Sequence, residues 1–181
     1  RVCITEMTFK NHGCCGHTFA ALDAVRDLQR EHGFTAAEVT RIRVGGYGPT
    51  KSICDRPSIT TEQEARFSVQ FTMGALVVLG GVRIAAFTPD NLVNPAIRAI
   101  MPKVTVELDP ELADAYPAKR AAKVWLDLAD GRQLYRYQPT RKGDPDAPLS
   151  DAELSEKFRE LAVPVIGAAA AEALLQALWS G

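Results

Sequence analysis

Phe19, Leu22, Val25 and Leu28 recur at helical spacing, which predicts an amphipathic helix over residues 18–31 ended by Gly33. Before it, residues 2–9 (VCITEMTF) alternate loosely and carry β-branched side chains, the pattern of a strand. After it, Thr35 and Glu38 mark a short capped turn leading to a second strand over 39–47. Gly45, Gly46, Gly48 and Pro49 then predict a loop that reaches Pro57. Thr61 and Glu64 open the next helix, expected over 61–79. Its apolar residues surround most of the circumference, so it is expected to be buried at the centre of the core. Gly80 and Gly81 stop it, and Thr88 with Pro89 opens another helix toward Ile100.

Residues 103–108 (KVTVEL) predict a third strand, and 123–129 with 132–137 predict a hairpin. Asp130-Gly131 suits a two-residue turn with positive φ at both positions. That register sets Leu128, Leu126 and Val124 opposite Gln133, Tyr135 and Tyr137. A polar loop follows over 140–148. Ser150 and Glu153 cap a helix to about residue 162, which Pro164 is expected to break. An alanine-rich helix over 165–178 completes the pattern. Helices interspersed with strands and an antiparallel hairpin predict an α+β two-layer sandwich over 1–148, followed by C-terminal helices over 149–181.

Composition changes this picture little. Of 181 residues, 46% are hydrophobic and 24% charged, with a net charge of −1 and both signs intermixed. A nucleic-acid surface would need a basic patch, so no nucleic-acid partner is expected. The longest apolar stretch, around 67–79, is too short for a membrane span and contains Gln70 and Thr72. Cys3, Cys14, Cys15 and Cys54 read as reduced thiols of a cytoplasmic compartment. The sequence opens on Arg1 within a strand-like run, so it is expected to begin inside a structured region, with a fragment and a processed chain both open.

Chemistry concentrates in residues 10–18 (KNHGCCGHT), a loop that feeds a helix N-terminus. Free backbone N–H groups and the helix dipole favour an anion there, and glycine permits close approach. Lys10, Gly16 and Thr18 are the candidate carboxylate-binding residues; His12, Cys15 and His17 are the candidate catalytic ones. Adjacent cysteines are not the usual zinc spacing, so no metal is expected. His32, in the last turn of its helix, reads as structural. The Gly45-Gly46-Tyr47-Gly48 run lacks the G-x-G-x-x-G spacing of a dinucleotide site.

The succession K-x-x-x-C-C-G-H-T-F-A-A-L-D-A from Lys10, Ile53-Cys54-Asp55-Arg56-Pro57 and Glu64-Ala65-Arg66-Phe67-Ser68 resembles the small domain of the MmgE/PrpD family. The resemblance continues through the Asp130-Gly131 hairpin, Gly143-Asp144-Pro145 and Pro148-Leu149-Ser150. It implies a lid domain that closes over a small polycarboxylate in a dehydratase, decarboxylase or epimerase. It also implies chemistry without metal or organic cofactor, a large helical domain as partner, and a homodimer. On this reading Lys10 binds a substrate carboxylate. Cys15 and Ile53 stand where cis-aconitate decarboxylase has a histidine and a tyrosine, and most catalytic histidines belong to the helical domain. The 181 residues by themselves are therefore expected to be inactive. A non-catalytic binding or interaction module on the same fold is the alternative, separable by whether a helical region accompanies this one.

Overall fold

The structure is a computed structural model that describes residues 6–181. Residues 2–5 of the expected opening strand lie outside them, and its described end, residues 6–9, is not a strand. Helix α1 (Phe19–His32) follows the predicted spacing, with Phe19, Leu22, Val25 and Leu28 buried. Gly33 ends it in the left-handed conformation at φ 65°. The Thr35–Glu38 capping box closes a short turn that leads into strand β1 (Val39–Gly46).

Three expected elements are divided or replaced. In place of a loop, Gly48–Cys54 forms helix α2 with Pro49 in its first turn, where the missing N–H has no intrahelical partner to lose. The helix expected over 61–79 is two, α3 (Glu62–Arg66) and α4 (Val69–Leu79). The Ser68 hydroxyl accepts from the Phe71 N–H at 3.0 Å, a second N-cap in the middle of the apolar run that lets the chain turn. The helix expected over 88–100 is α5 (Pro89–Leu92) and α6 (Pro95–Ile100), because Pro95 suits only a first turn and disfavours helix in Asn94 before it.

The chain continues through β2 (Val104–Leu108), an unexpected α7 (Pro110–Ala115) capped by Asp109, β3 (Ala122–Leu128) and β4 (Gln133–Gln138). The sheet order is β2-β1-β3-β4, with β1 and β2 parallel and the other pairs antiparallel. Helix α1 packs on β3 and β4, and α4 packs on α1 and β2. Ile42, Val44, Val106, Val124 and Leu126 are buried with these helices in one core. The architecture is α+β, as the patterning predicts. No helix among the described residues is long and apolar enough to cross a membrane.

The hairpin register differs by one residue from that expected. Leu126 faces Leu134 and Trp125 faces Tyr135. Gly131 has φ 88°, but Asp130 stays at negative φ, so the two-residue mirror-image turn does not form. The Gly131 N–H donates to the Leu128 carbonyl and the Leu128 N–H to Arg132, which makes a three-residue loop with a glycine bulge. One residue of slip moves Tyr135 and Tyr137 to the outer face, where both are exposed.

Gly74 sets the spacing between α4 and α6. A Cβ there would lie 2.7 Å from the Ile97 carbonyl oxygen and 3.1 Å from its Cγ2. Gly74→Ala is expected to lower stability by about 1–3 kcal/mol, the usual cost of overpacking against backbone. Urea unfolding checks this; an unchanged midpoint would show that the two helices separate freely.

Pro164 does not end its helix. Helix α8 (Asp151–Ile166) runs through it, because the hydrogen bond that proline forgoes falls near the helix end. Helix α9 (Ala168–Ser180) folds back along α8, tied by Trp179 Nε1 donating to Ser155 Oγ at 3.0 Å. Leu161, Val165, Ile166, Leu174, Leu178 and Trp179 of this pair are exposed.

Candidate functional site

Three arginines from three distant segments pin the loop ahead of α1. Arg66 donates to the Gly13 carbonyl, and Arg83 donates to the Asn11 carbonyl and to Asn11 Oδ1, both at 3.1 Å. Arg141, bound to the Asp144 carboxylate, reaches the Gly16 carbonyl at 3.4 Å. Backbone bonds add to this: Gly13 N–H to Val82 O at 2.7 Å, and Cys15 N–H to Arg66 O at 2.9 Å. A polar loop is thus held as firmly as a core element, since its carbonyls and amides find fixed partners.

The held loop forms one wall of a cavity of about 420 Å³. Lys10, His12, Cys14, Cys15 and Gly16 line it together with Arg66, Arg83, Ile84 and Lys157. His17 and Thr18 do not line it. Lys10 does not end a strand, as expected from sequence. The Phe9 N–H donates to Gly143 O at 2.8 Å, and Lys157 Nζ donates to the Lys10 carbonyl at 2.7 Å. Burial and the neighbouring Arg83 push the Lys157 pKa below its ordinary value, which marks a cationic corner.

The candidate residues divide by what they touch. His12 is buried, with Nε2 3.0 Å from Asp23 Oδ1 and its ring edge-on to Phe19. His17 lies on the other side of the loop, Nδ1 3.0 Å from the Tyr47 hydroxyl and close to the Tyr116 ring. Burial, with Arg120 and Arg141 nearby, pushes its pKa down, so the ring is neutral at pH 7. Thr18 is fully buried; its hydroxyl donates to Cys15 O at 2.8 Å and meets Cys14 Sγ at 3.3 Å. Gly16 passes so close to Arg141 that a Cβ would lie 3.1 Å from its guanidinium.

The two adjacent thiols have opposite characters. Burial pushes Cys14 up to about 12. Cys15 is held down at about 6, first by the Cys54 thiol hydrogen-bonded to it, then by the His17 N–H and the charge of Lys10. The same contact and burial push Cys54 well above the ordinary thiol range, so Cys54 is the donor. The expectation of free amides at this helix start needs correction. Thr18 N–H donates to Cys15 O at 3.1 Å, and the His17 backbone N–H helps to hold the Cys15 pKa down. The anion at the helix start is a thiolate of the chain itself. Sequence reading passed over Arg66, Arg83, Lys157 and Cys54, which adjoin the loop only through the fold. Among the described residues no three of His, Cys, Asp and Glu converge to hold a metal ion.

Residues 12–180 match the model of the MmgE/PrpD C-terminal domain. Human cis-aconitate decarboxylase is 27% identical over 128 residues, 71% of this chain and 26% of the relative. The mouse enzyme of the same name is 27% identical over 111 residues, 61% of this chain and 22% of its own. The cis-aconitate decarboxylase-like protein oryM of Aspergillus oryzae is 26% identical over 176 residues, 90% of this chain and 35% of its own. The chain thus spans between a fifth and about a third of the length of these relatives. With a family match over residues 12–180, which takes in the whole sheet and both last helices, the chain belongs to the MmgE/PrpD family as its C-terminal domain.

Proposed function

We propose that this domain supplies one wall of the active site of a lyase- or isomerase-type enzyme acting on a small polycarboxylate. The observation that supports this reading most is the juxtaposition of Lys10 and Cys15, whose pKa lies near 6, in one cavity also lined by Arg66, Arg83 and Lys157. The Lys10 ammonium takes one substrate carboxylate by a charge-assisted hydrogen bond. Cys15, ionised near neutral pH, accepts a proton from the carbon beside that carboxylate and can return it, the role a base near its working pH fills best. His12 and Asp23 position the loop, and Thr18 fixes the carbonyl of Cys15. His17 is a reserve candidate, since it is neutral but faces away from the cavity. No metal or organic cofactor enters this scheme.

The remaining groups come, on this reading, from the helical domain that family resemblance sets against this one. The exposed apolar side chains of α8 and α9 are the surface we assign to it, in a cytoplasmic homodimer. The name shared by the relatives, cis-aconitate decarboxylase, makes cis-aconitate the first substrate to try. The test is steady-state kinetics of the complete protein on cis-aconitate, 2-methylcitrate and iminodisuccinate. On whichever is turned over, Lys10→Ala is expected to lower kcat/KM about 10- to 100-fold, the loss of one charge-assisted hydrogen bond. Lys10→Arg should rescue little, because a guanidinium fork differs in shape and reach. The 181-residue chain alone is expected to show no turnover. Wild-type kcat/KM in Lys10→Ala would refute the assignment of Lys10.

A further inference from the structure

Cys54 has no part in the chemistry proposed above, yet it is fully buried in the core against which Cys15, the more exposed of the two thiols lining the cavity, is packed. It ends helix α2, and that helix packs on the turn that carries Cys15. Thr50 of α2 donates to the His17 carbonyl at 3.1 Å, which holds the helix and the turn in register. Cys15 packs against the buried cluster that contains Cys54, and the Cys54 thiol is the largest influence holding the Cys15 pKa down. Cys14, though adjacent in sequence, turns its sulfur away to Thr18 Oγ1 at 3.3 Å. Half-buried Cys15 therefore lines the cavity, and the buried Cys54 belongs to the core it packs against.

We infer that Cys15 and Cys54 are a peroxide-sensitive pair, in which Cys15 is oxidised first and Cys54 captures it as an intramolecular disulfide. The oxidant is a hydroperoxide. The Cys15 thiolate attacks its terminal oxygen, the O–O bond breaks, and the products are Cys15 sulfenic acid and hydroxide, or an alkoxide. The Cys54 sulfur then displaces the sulfenic oxygen, which leaves as water with the Cys54 proton as the S–S bond forms. The two steps remove two electrons from the two sulfurs and reduce the peroxide by two. Lys10, the His17 N–H and the Cys54 S–H favour the first step because they hold Cys15 as thiolate. The buried resolving thiol stops the sulfur from going on to the irreversible sulfinic acid. This chemistry stands whether or not the cavity is a lyase site; if Cys15 does carry the reaction, activity should fall and return with the same linkage.

The test is peptide mapping of the purified chain after mild hydrogen peroxide at pH 7. Trypsin releases Cys14 and Cys15 on peptide 11–26 and Cys54 on peptide 52–66, since it does not cut before Pro57. The expected product has peptide 11–26 joined to 52–66, the chain lighter by two hydrogens, and full reversal by dithiothreitol. The link should persist in Cys14→Ser. It should vanish in Cys54→Ser and in Cys54→Ala, where dimedone should instead trap a sulfenic acid on Cys15. Near-ultraviolet dichroism shows that each variant is folded. A link through Cys14, a sulfinic acid on Cys15 of the wild-type chain, or no oxidation of Cys15 would each overturn the inference.

Discussion

Asp23→Ala is expected to destabilise the domain by about 3–5 kcal/mol, the usual cost of removing one partner of a buried ionic cluster. The Asp23 carboxylate is 1% exposed and serves three segments at once. It meets His12 Nε2 at 3.0 Å and Arg26 at 3.1 Å, and accepts the Lys142 N–H at 2.8 Å. Those contacts tie the site loop to α1 and to the loop that precedes α8. Alanine leaves the buried His12 and the Lys142 N–H without this acceptor and removes one of the two carboxylate contacts of Arg26, so each unmet hydrogen bond adds to the loss. Asp23→Asn keeps one carbonyl oxygen and should lose markedly less. Urea unfolding measures both. A loss below about 1 kcal/mol for alanine would mean that the cluster is solvated and that His12 is free to act elsewhere.

Iodoacetamide is expected to alkylate Cys15 at least ~100-fold faster than Cys14 at pH 7, because thiolate fraction outweighs the lower nucleophilicity of the more acidic thiol. The Cys15 rate should rise through a midpoint near pH 6 and then level off. The sign follows from the depressed pKa: the reactive thiolate is present above that midpoint and is lost as pH falls through it. Cys14, held near 12 and 5% exposed, should stay silent until the chain unfolds. Lys10→Ala should move the Cys15 midpoint upward, since it removes one of the charges that hold the thiolate. Cys54→Ser should move it further, because the Cys54 thiol is the largest cause of the depression. Quenched labelling with mass spectrometry reads each site. Equal labelling of the two cysteines would remove Cys15 from the proposed chemistry.

Much of the local architecture is legible in the amino-acid sequence. Helix α1 ends at Gly33 because only glycine takes a left-handed cap freely, and the Thr61–Glu64 and Ser150–Glu153 boxes begin helices where their spacing says. Continuity is the misleading signal. An apolar run over 67–79 looks like one helix, but Ser68 caps inside it. Asp-Gly looks like a two-residue turn, but the packing of Leu126 and Leu134 under α1 selects the bulged loop and the other register. Ser68 is a signal that closer attention to caps finds. The hairpin register is not, because Asp-Gly is compatible with both turns and the buried face chooses between them.

The residues alone identify the α+β class and the family and single out the loop over 10–18 as the candidate site, because each is written in short-range spacing. They do not separate Cys14 from Cys15, or assign His12 and His17 to opposite sides of the loop. Ionisation of a thiol depends on what surrounds its sulfur, and the surroundings come from far along the chain. Cys54 and Arg66 come from α2 and α3, and Arg83, Arg141 and Lys157 lie 72, 125 and 147 residues from the loop residues they hold. Only the tertiary structure brings that set together, and burial and hydrogen-bond geometry then make one of two neighbouring cysteines a thiolate and leave the other an inert core residue.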